Sequence, residues 1–113
     1  MLIRPDEVPE IDEPSNDLVM RKLVDAATGG GDVSVTWVRI DGTHRRLRTD
    51  ASTRLYYVVE GDGWFELGDE PRFEIRTGDV VVVPRRLPYA LGGRLTYLVI
   101  NGPAFCEGND VYL

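Results

Sequence analysis

Hydrophobic and polar residues alternate with the two-residue period of β-strands over most of the chain from residue 33 onward. Val33-Ser34-Val35-Thr36-Trp37-Val38-Arg39-Ile40 alternates, is rich in β-branched and aromatic side chains, and runs into the turn signal Asp41-Gly42. Residues 43–53 are polar and basic with little period and read as a loop or a frayed strand. A second strand covers Arg54 to Glu60, with Gly61-Asp62-Gly63 predicted as a hairpin and Trp64 to Leu67 as its return. Gly68-Asp69-Glu70-Pro71 marks another turn, leading into residues 72–76. After Thr77-Gly78-Asp79 comes Val80 to Val83, apolar at every position, as a strand buried on both faces would be. Leu95 to Ile100 is the last core strand, closed by Asn101-Gly102-Pro103. Strands punctuated by turns about every ten residues predict an all-β sandwich or barrel.

The chain before Val33 is less regular. Leu18 to Val24 fits a short helix capped by Ser15 or Asn16, or a strand with Met20, Lys22 and Val24 on one face. The glycine-rich turn at residues 28–32 sets a strand against it more naturally than a helix. Residues 5–17 hold three prolines and six carboxylates, too little apolar surface for a core of their own. Residues 1–17 are therefore read as an extended acidic arm, and residues 18–113 as the barrel domain.

Composition narrows the function. With 113 residues and 42% hydrophobic content, the chain supports a single domain with one core. A net charge of −6 argues against non-specific nucleic-acid binding, which needs a basic face. No apolar run is long enough for a membrane span, and the N-terminus does not read as a signal segment. The single cysteine, Cys106, permits no internal disulfide, consistent with a cytoplasmic protein. Beside Glu107 and with no basic neighbour to activate it, Cys106 does not read as a nucleophile. Basic charge comes from twelve arginines and one lysine, a bias that genome composition explains as well as function does.

Two segments resemble the signature motifs of the cupin superfamily: Arg54-Leu55-Tyr56-Tyr57-Val58-Val59-Glu60-Gly61, and Thr77-Gly78-Asp79 through Pro84 followed by Pro88-Tyr89. The resemblance spans roughly Val33 to Phe105 and implies a single-domain antiparallel cupin-type jelly-roll β-barrel. In cupins a His-x-His pair, a glutamate and a later histidine bind a divalent metal. Here the glutamate position falls on Arg54. The histidine pair falls on Arg48 and Asp50, or on Leu47 and Thr49 with one more loop residue, and the last histidine is Tyr89. Arginine is a fixed cation with no lone pair to offer, so no metal and no other cofactor is expected.

Strand alternation sets Arg54, Tyr56 and Val58 on one face, which the resemblance makes the barrel interior. Arg54 then either receives an anionic ligand, with Arg48 or Arg39 converging on it, or forms an internal salt bridge to Asp50, Glu60 or Glu66. Tyr89 is a candidate hydrogen-bond donor or general acid, or else a packed mouth residue. His44, the only histidine, is a candidate base oriented by a carboxylate such as Asp50, or else a surface residue. Trp37 and Trp64 are pocket walls or core.

Two functions follow. One is a binding module for a small anionic or polar molecule, with Arg39, Arg48, Asp50, Arg54, Tyr56 and Tyr89 around the pocket. The other is a metal-independent isomerase, cyclase or lyase that uses His44 or Tyr89 for proton transfer. The resemblance also implies a homodimer, with the N-terminal arm crossing to its neighbour.

Overall fold

A computed structural model describes all of residues 1–113. It contains eight strands: β1 (Ile11–Glu13), β2 (Leu18–Val24), β3 (Ser34–Thr49), β4 (Thr53–Leu67), β5 (Phe73–Arg76), β6 (Val80–Val83), β7 (Tyr89–Gly102) and β8 (Asp110–Tyr112). They form one antiparallel jelly-roll sheet in the order β1-β2-β3-β7-β4-β5, with β6 on β4 and β8 on β3. Leu18–Val24 is a strand, paired to β3 along its length. No helix is long and apolar enough to cross a membrane.

Three strands are much longer than the sequence pattern suggests: β3 has 16 residues, β4 has 15 and β7 has 14. The turn predicted at Asp41-Gly42 and the hairpin predicted at Gly61-Asp62-Gly63 do not form. Both stretches stay paired to β7, Gly42 opposite Gly93 and Gly63 opposite Gly93. The chain needs glycine there for a bend and not for a reversal. A Cβ on Gly93 would lie 2.5 Å from the Gly63 Cα, at a φ of +123° that side chains rarely adopt. This glycine row lets three neighbouring strands fold over together and wrap the sheet around a single core.

Residues 43–49, within the stretch read as a loop or a frayed strand, continue β3, and their alternation is visible in burial: Leu47 and Thr49 are fully buried while Arg48 and Asp50 face outward. A register break between His44 and Leu47 shifts the phase of the strand at this point. The valine run also departs from expectation. Val81 and Val83 are buried, but Val80 and Val82 are 59% and 54% exposed, so β6 covers only one face.

The core lies inside the wrapped sheet. Tyr56 is its hub, with ring centroids 5.0 Å from Phe65, 5.3 Å from Tyr97 and 5.9 Å from Tyr89, mostly edge-on or tilted. Arg54, Tyr56 and Val58 all point inward, as their alternation predicts. Residues 5–17 lie along β2. The Arg21 guanidinium donates to the Pro5 and Val8 carbonyls at 2.7 and 3.1 Å, and Glu13 pairs with Leu18 across β1 and β2. Between those two residues the chain makes a tight turn through Pro14–Asn16, with Asp17 left-handed at a φ of 56°.

Candidate functional site

A cavity of about 250 Å³ opens at one end of the wrapped sheet. His44 from β3, Arg54 and Tyr56 from β4, and Tyr97 and Asn101 from β7 form its polar wall. The chain termini close it, with Glu13 from β1 and Asp110 and Tyr112 from β8. Met20, Val38, Val99 and Phe105 give it an apolar side, and Lys22 and Glu107 also border it.

His44 is 8% exposed, and its Nδ1 lies 2.8 Å from the backbone oxygen of Arg45. A carbonyl can only accept, so Nδ1 carries the proton in the neutral ring and Nε2 keeps its lone pair. Burial lowers the pKa of His44 below the ordinary histidine value, outweighing the Arg45 carbonyl and the carboxylates of Glu13 and Asp110, which raise it. At neutral pH the ring is therefore an uncharged base. Tyr112 stacks on it at 6.2 Å between centroids, and the Arg45 guanidinium covers the other ring at 3.9 Å.

The same cavity is lined by a chain of donors. Arg54 is 4% exposed and satisfied within the protein: Nε donates to Asn101 Oδ1 at 2.6 Å, Nη1 to Tyr89 Oη at 2.8 Å and Nη2 to Asp110 Oδ1 at 2.9 Å. Tyr89 and Tyr56 share a hydroxyl–hydroxyl bond of 2.6 Å. The Tyr89 hydroxyl is fully buried and its other partner, Arg54, can only donate, so the Tyr89 O–H is given to Tyr56, which leaves the Tyr56 O–H for the cavity. Burial raises the pKa of both tyrosines, and of Tyr97 on the cavity wall, so all three remain neutral donors at neutral pH.

The structure gathers His44, Arg54 and Tyr56 at the cavity, with Tyr89 fully buried one layer behind Tyr56. It keeps three other sequence candidates away. The Arg39 side chain is 55% exposed, lies over Trp37 at 5.7 Å and reaches Glu10 at 3.8 Å. Arg48 and Asp50 bond each other on the outside at 2.8 Å, because the register break turns Leu47 and Thr49 inward in their place. The carboxylate that pairs with Arg54 is Asp110, and not Asp50, Glu60 or Glu66. Trp37 and Trp64 are half-buried on the outer surface, covered by arginines. Glu13, Asn16, Asp110 and Tyr112 escaped the sequence reading. A signal was present in Asn109-Asp110-Val111-Tyr112, a short polar–apolar alternation after the break at Pro103.

The donor set does not suit the divalent metal that the sequence resemblance implies. A guanidinium with its hydrogen bonds satisfied occupies the glutamate position, a tyrosine takes the place of the last histidine, and no three of His, Cys, Asp and Glu come together to hold an ion.

The family profile described as cupin matches residues 19–107. No curated protein matches the chain. Among solved structures it is similar to Pac13 of Streptomyces, described as a nucleoside dehydratase, at 20% identity and a TM-score of 0.84 over 100% of this chain and 90% of that one. Pac13 structures with uridine include one in which a histidine is replaced by glutamine and others in which a tyrosine is replaced by phenylalanine. Ectoine synthase from P. lautus aligns with a TM-score of 0.82 at 18% identity, covering 100% of this chain and 89% of its own. KdgF from Halomonas sp. aligns with a TM-score of 0.81 at 18% identity, covering 95% and 96%. At these identities the likeness is one of fold.

Proposed function

The chain belongs to the cupin family, and from that premise we propose that it is a metal-independent lyase that removes water from a small, uncharged β-hydroxy carbonyl compound. One observation carries the reading: a neutral histidine with a free Nε2 lines the same cavity as a tyrosine hydroxyl polarised through Tyr89 by Arg54. His44 takes the proton from the carbon beside the carbonyl, and the electron pair moves onto the carbonyl oxygen. Tyr56 donates a hydrogen bond to that developing oxyanion. When the pair returns, the β-hydroxyl leaves and receives the proton from the His44 imidazolium. Substrate becomes the unsaturated carbonyl compound plus water, and the enzyme ends as it began.

Of the anionic or polar ligands expected from sequence, charge favours the uncharged polar kind. Asp110 already neutralises Arg54, and the lining carries three carboxylates against two cations. An anionic ligand would meet net repulsion. The fold likeness to a nucleoside dehydratase, studied with uridine in histidine and tyrosine variants, supports both the reaction class and these residue types.

The test is incubation in D2O with a panel of uncharged hydroxy aldehydes, hydroxy ketones, sugars and nucleosides, read by mass spectrometry for water loss and deuterium uptake. His44→Gln should lower the rate by about 10²–10⁴-fold, and Tyr56→Phe by about 10²–10³-fold. Ligand binding without any exchange that depends on His44 would favour the binding module instead.

We further read the molecule as a homodimer. Tyr57, Val59, Val80 and Val82 are all exposed on the outer faces of β4 and β6, an apolar surface that pairing would cover.

A further inference from the structure

Asn16 is 0% exposed at the tip of the β1–β2 turn, and its amide is fully committed. Its Nδ2 donates to Glu13 Oε2 and to Tyr112 Oη, each at 3.1 Å. Its Oδ1 accepts from the Arg45 backbone N–H at 3.0 Å and from Arg45 Nε at 3.1 Å. One side chain thus ties the N-terminal segment to β8 and to the residue next to His44. Asp17 fixes the same turn by accepting the Thr43 N–H at 2.9 Å. A buried amide with every direction used holds its neighbours in one geometry, because each lost bond would leave a buried polar group unpaired. The outcome is that a carboxylate from the otherwise peripheral arm is presented to the cavity that the only histidine also lines.

We propose that Glu13, held by Asn16, is the counter-ion of the imidazolium that forms when His44 accepts a proton. Glu13 and Asn16 are then positioning residues that act through His44, and through Glu13 the N-terminal segment contributes to the site. The proposal rests on the reading of His44 as the proton acceptor. The charged and titratable groups that act on or stack against His44 are Glu13 on β1, Asp110 and Tyr112 on β8 and Arg54 on β4. Lys22, Tyr56, Tyr97 and Glu107 line the same cavity, and the Arg45 guanidinium lies over the Tyr112 ring. Asp110 is bonded to Arg54, so its field at the imidazole is largely cancelled by its own partner. Glu13 has no cation bound to it; its hydrogen-bond partner is the neutral Asn16 amide, so its charge acts on the imidazole uncancelled and favours the protonated ring.

The lone histidine makes the test direct, since a single imidazole signal in the NMR spectrum reports the His44 pKa without any substrate. Glu13→Gln should lower that pKa by about one pH unit, Asn16→Ala should lower it by less, and Glu13→Asp should restore part of the difference. Glu10→Gln, on the outside of the same segment, should leave it unchanged. A Glu13→Gln titration superimposable on that of the wild type would overturn the proposal. Should that variant not fold, the wild-type Glu13 side-chain carboxyl carbon should show a second inflection at the pH where His44 titrates, and its absence would equally overturn it. A shift in Glu13→Gln with no His44-dependent turnover would sustain the ion pair and remove the dehydratase. Turnover dependent on His44 without the shift would remove the ion pair alone.

Discussion

His44 and Arg54 show how burial assigns chemistry to a side chain. The imidazole is held uncharged by desolvation, so its pKa lies below that of the unfolded chain. The linked stability is fully present above the unfolded value of about 6.5 and is lost as pH falls from there through the folded pKa, because the unfolded state binds the proton first. Urea melts across that window should show wild-type stability falling more steeply with acid than that of His44→Gln, and parallel curves would contradict the assignment. Arg54 is charged and pays for its burial with Asp110, Tyr89 and Asn101. Arg54→Ala strands all three and should cost about 3–5 kcal/mol in a denaturant melt. Combining Arg54→Met with Asp110→Leu should recover part of that loss, since no uncompensated charge remains. These two residues were legible in the sequence: His44 as the only imidazole, Arg54 from alternation and from the motif position it occupies. The partner of Arg54 was not, because Asp110 lies 56 residues away and no local pattern joins them.

The elements were legible as strands but not as long, bent ones. Gly61-Asp62-Gly63 has the same local chemistry whether it reverses a hairpin or bends a continuous strand. Only pairing with β7 decides, and that pairing is non-local. Residues 43–53 read from sequence as a loop or a frayed strand, which leaves the facing of Arg48 and Asp50 open, whereas a continuous β3 with its register break turns both outward. The glycine row makes its own prediction. Gly93→Ala combines a positive φ with a clash against Gly63, whereas Gly78→Ala has a positive φ of 91° and nothing within 4 Å. Both should lose about 1–3 kcal/mol from backbone strain, and Gly93→Ala should lose clearly more. Equal losses in chemical melts would mean that the strands do not approach closely at that row.

At the scale of the molecule, both ends of the chain return to the cavity. Glu13 and Asn16 come from one end, Asp110 and Tyr112 from the other, and Asn16 bonds Tyr112 across 96 residues. That closure is a property of the whole wrapped sheet, which is why an acidic, proline-containing segment read from composition alone gave no sign of a part in the site. Self-association belongs to the same scale. Sedimentation of the wild type should give a dimer, and Val80→Lys with Val82→Lys should give a folded monomer. A dimer unaffected by these changes but lost on deleting residues 1–17 would move the interface to the arm. The proposed chemistry requires one state of one ring. Nitrogen-15 NMR of His44 at neutral pH should show a protonated Nδ1 and an unprotonated Nε2, the tautomer imposed by the Arg45 carbonyl. A protonated Nε2, in either the other tautomer or the imidazolium, would contradict it.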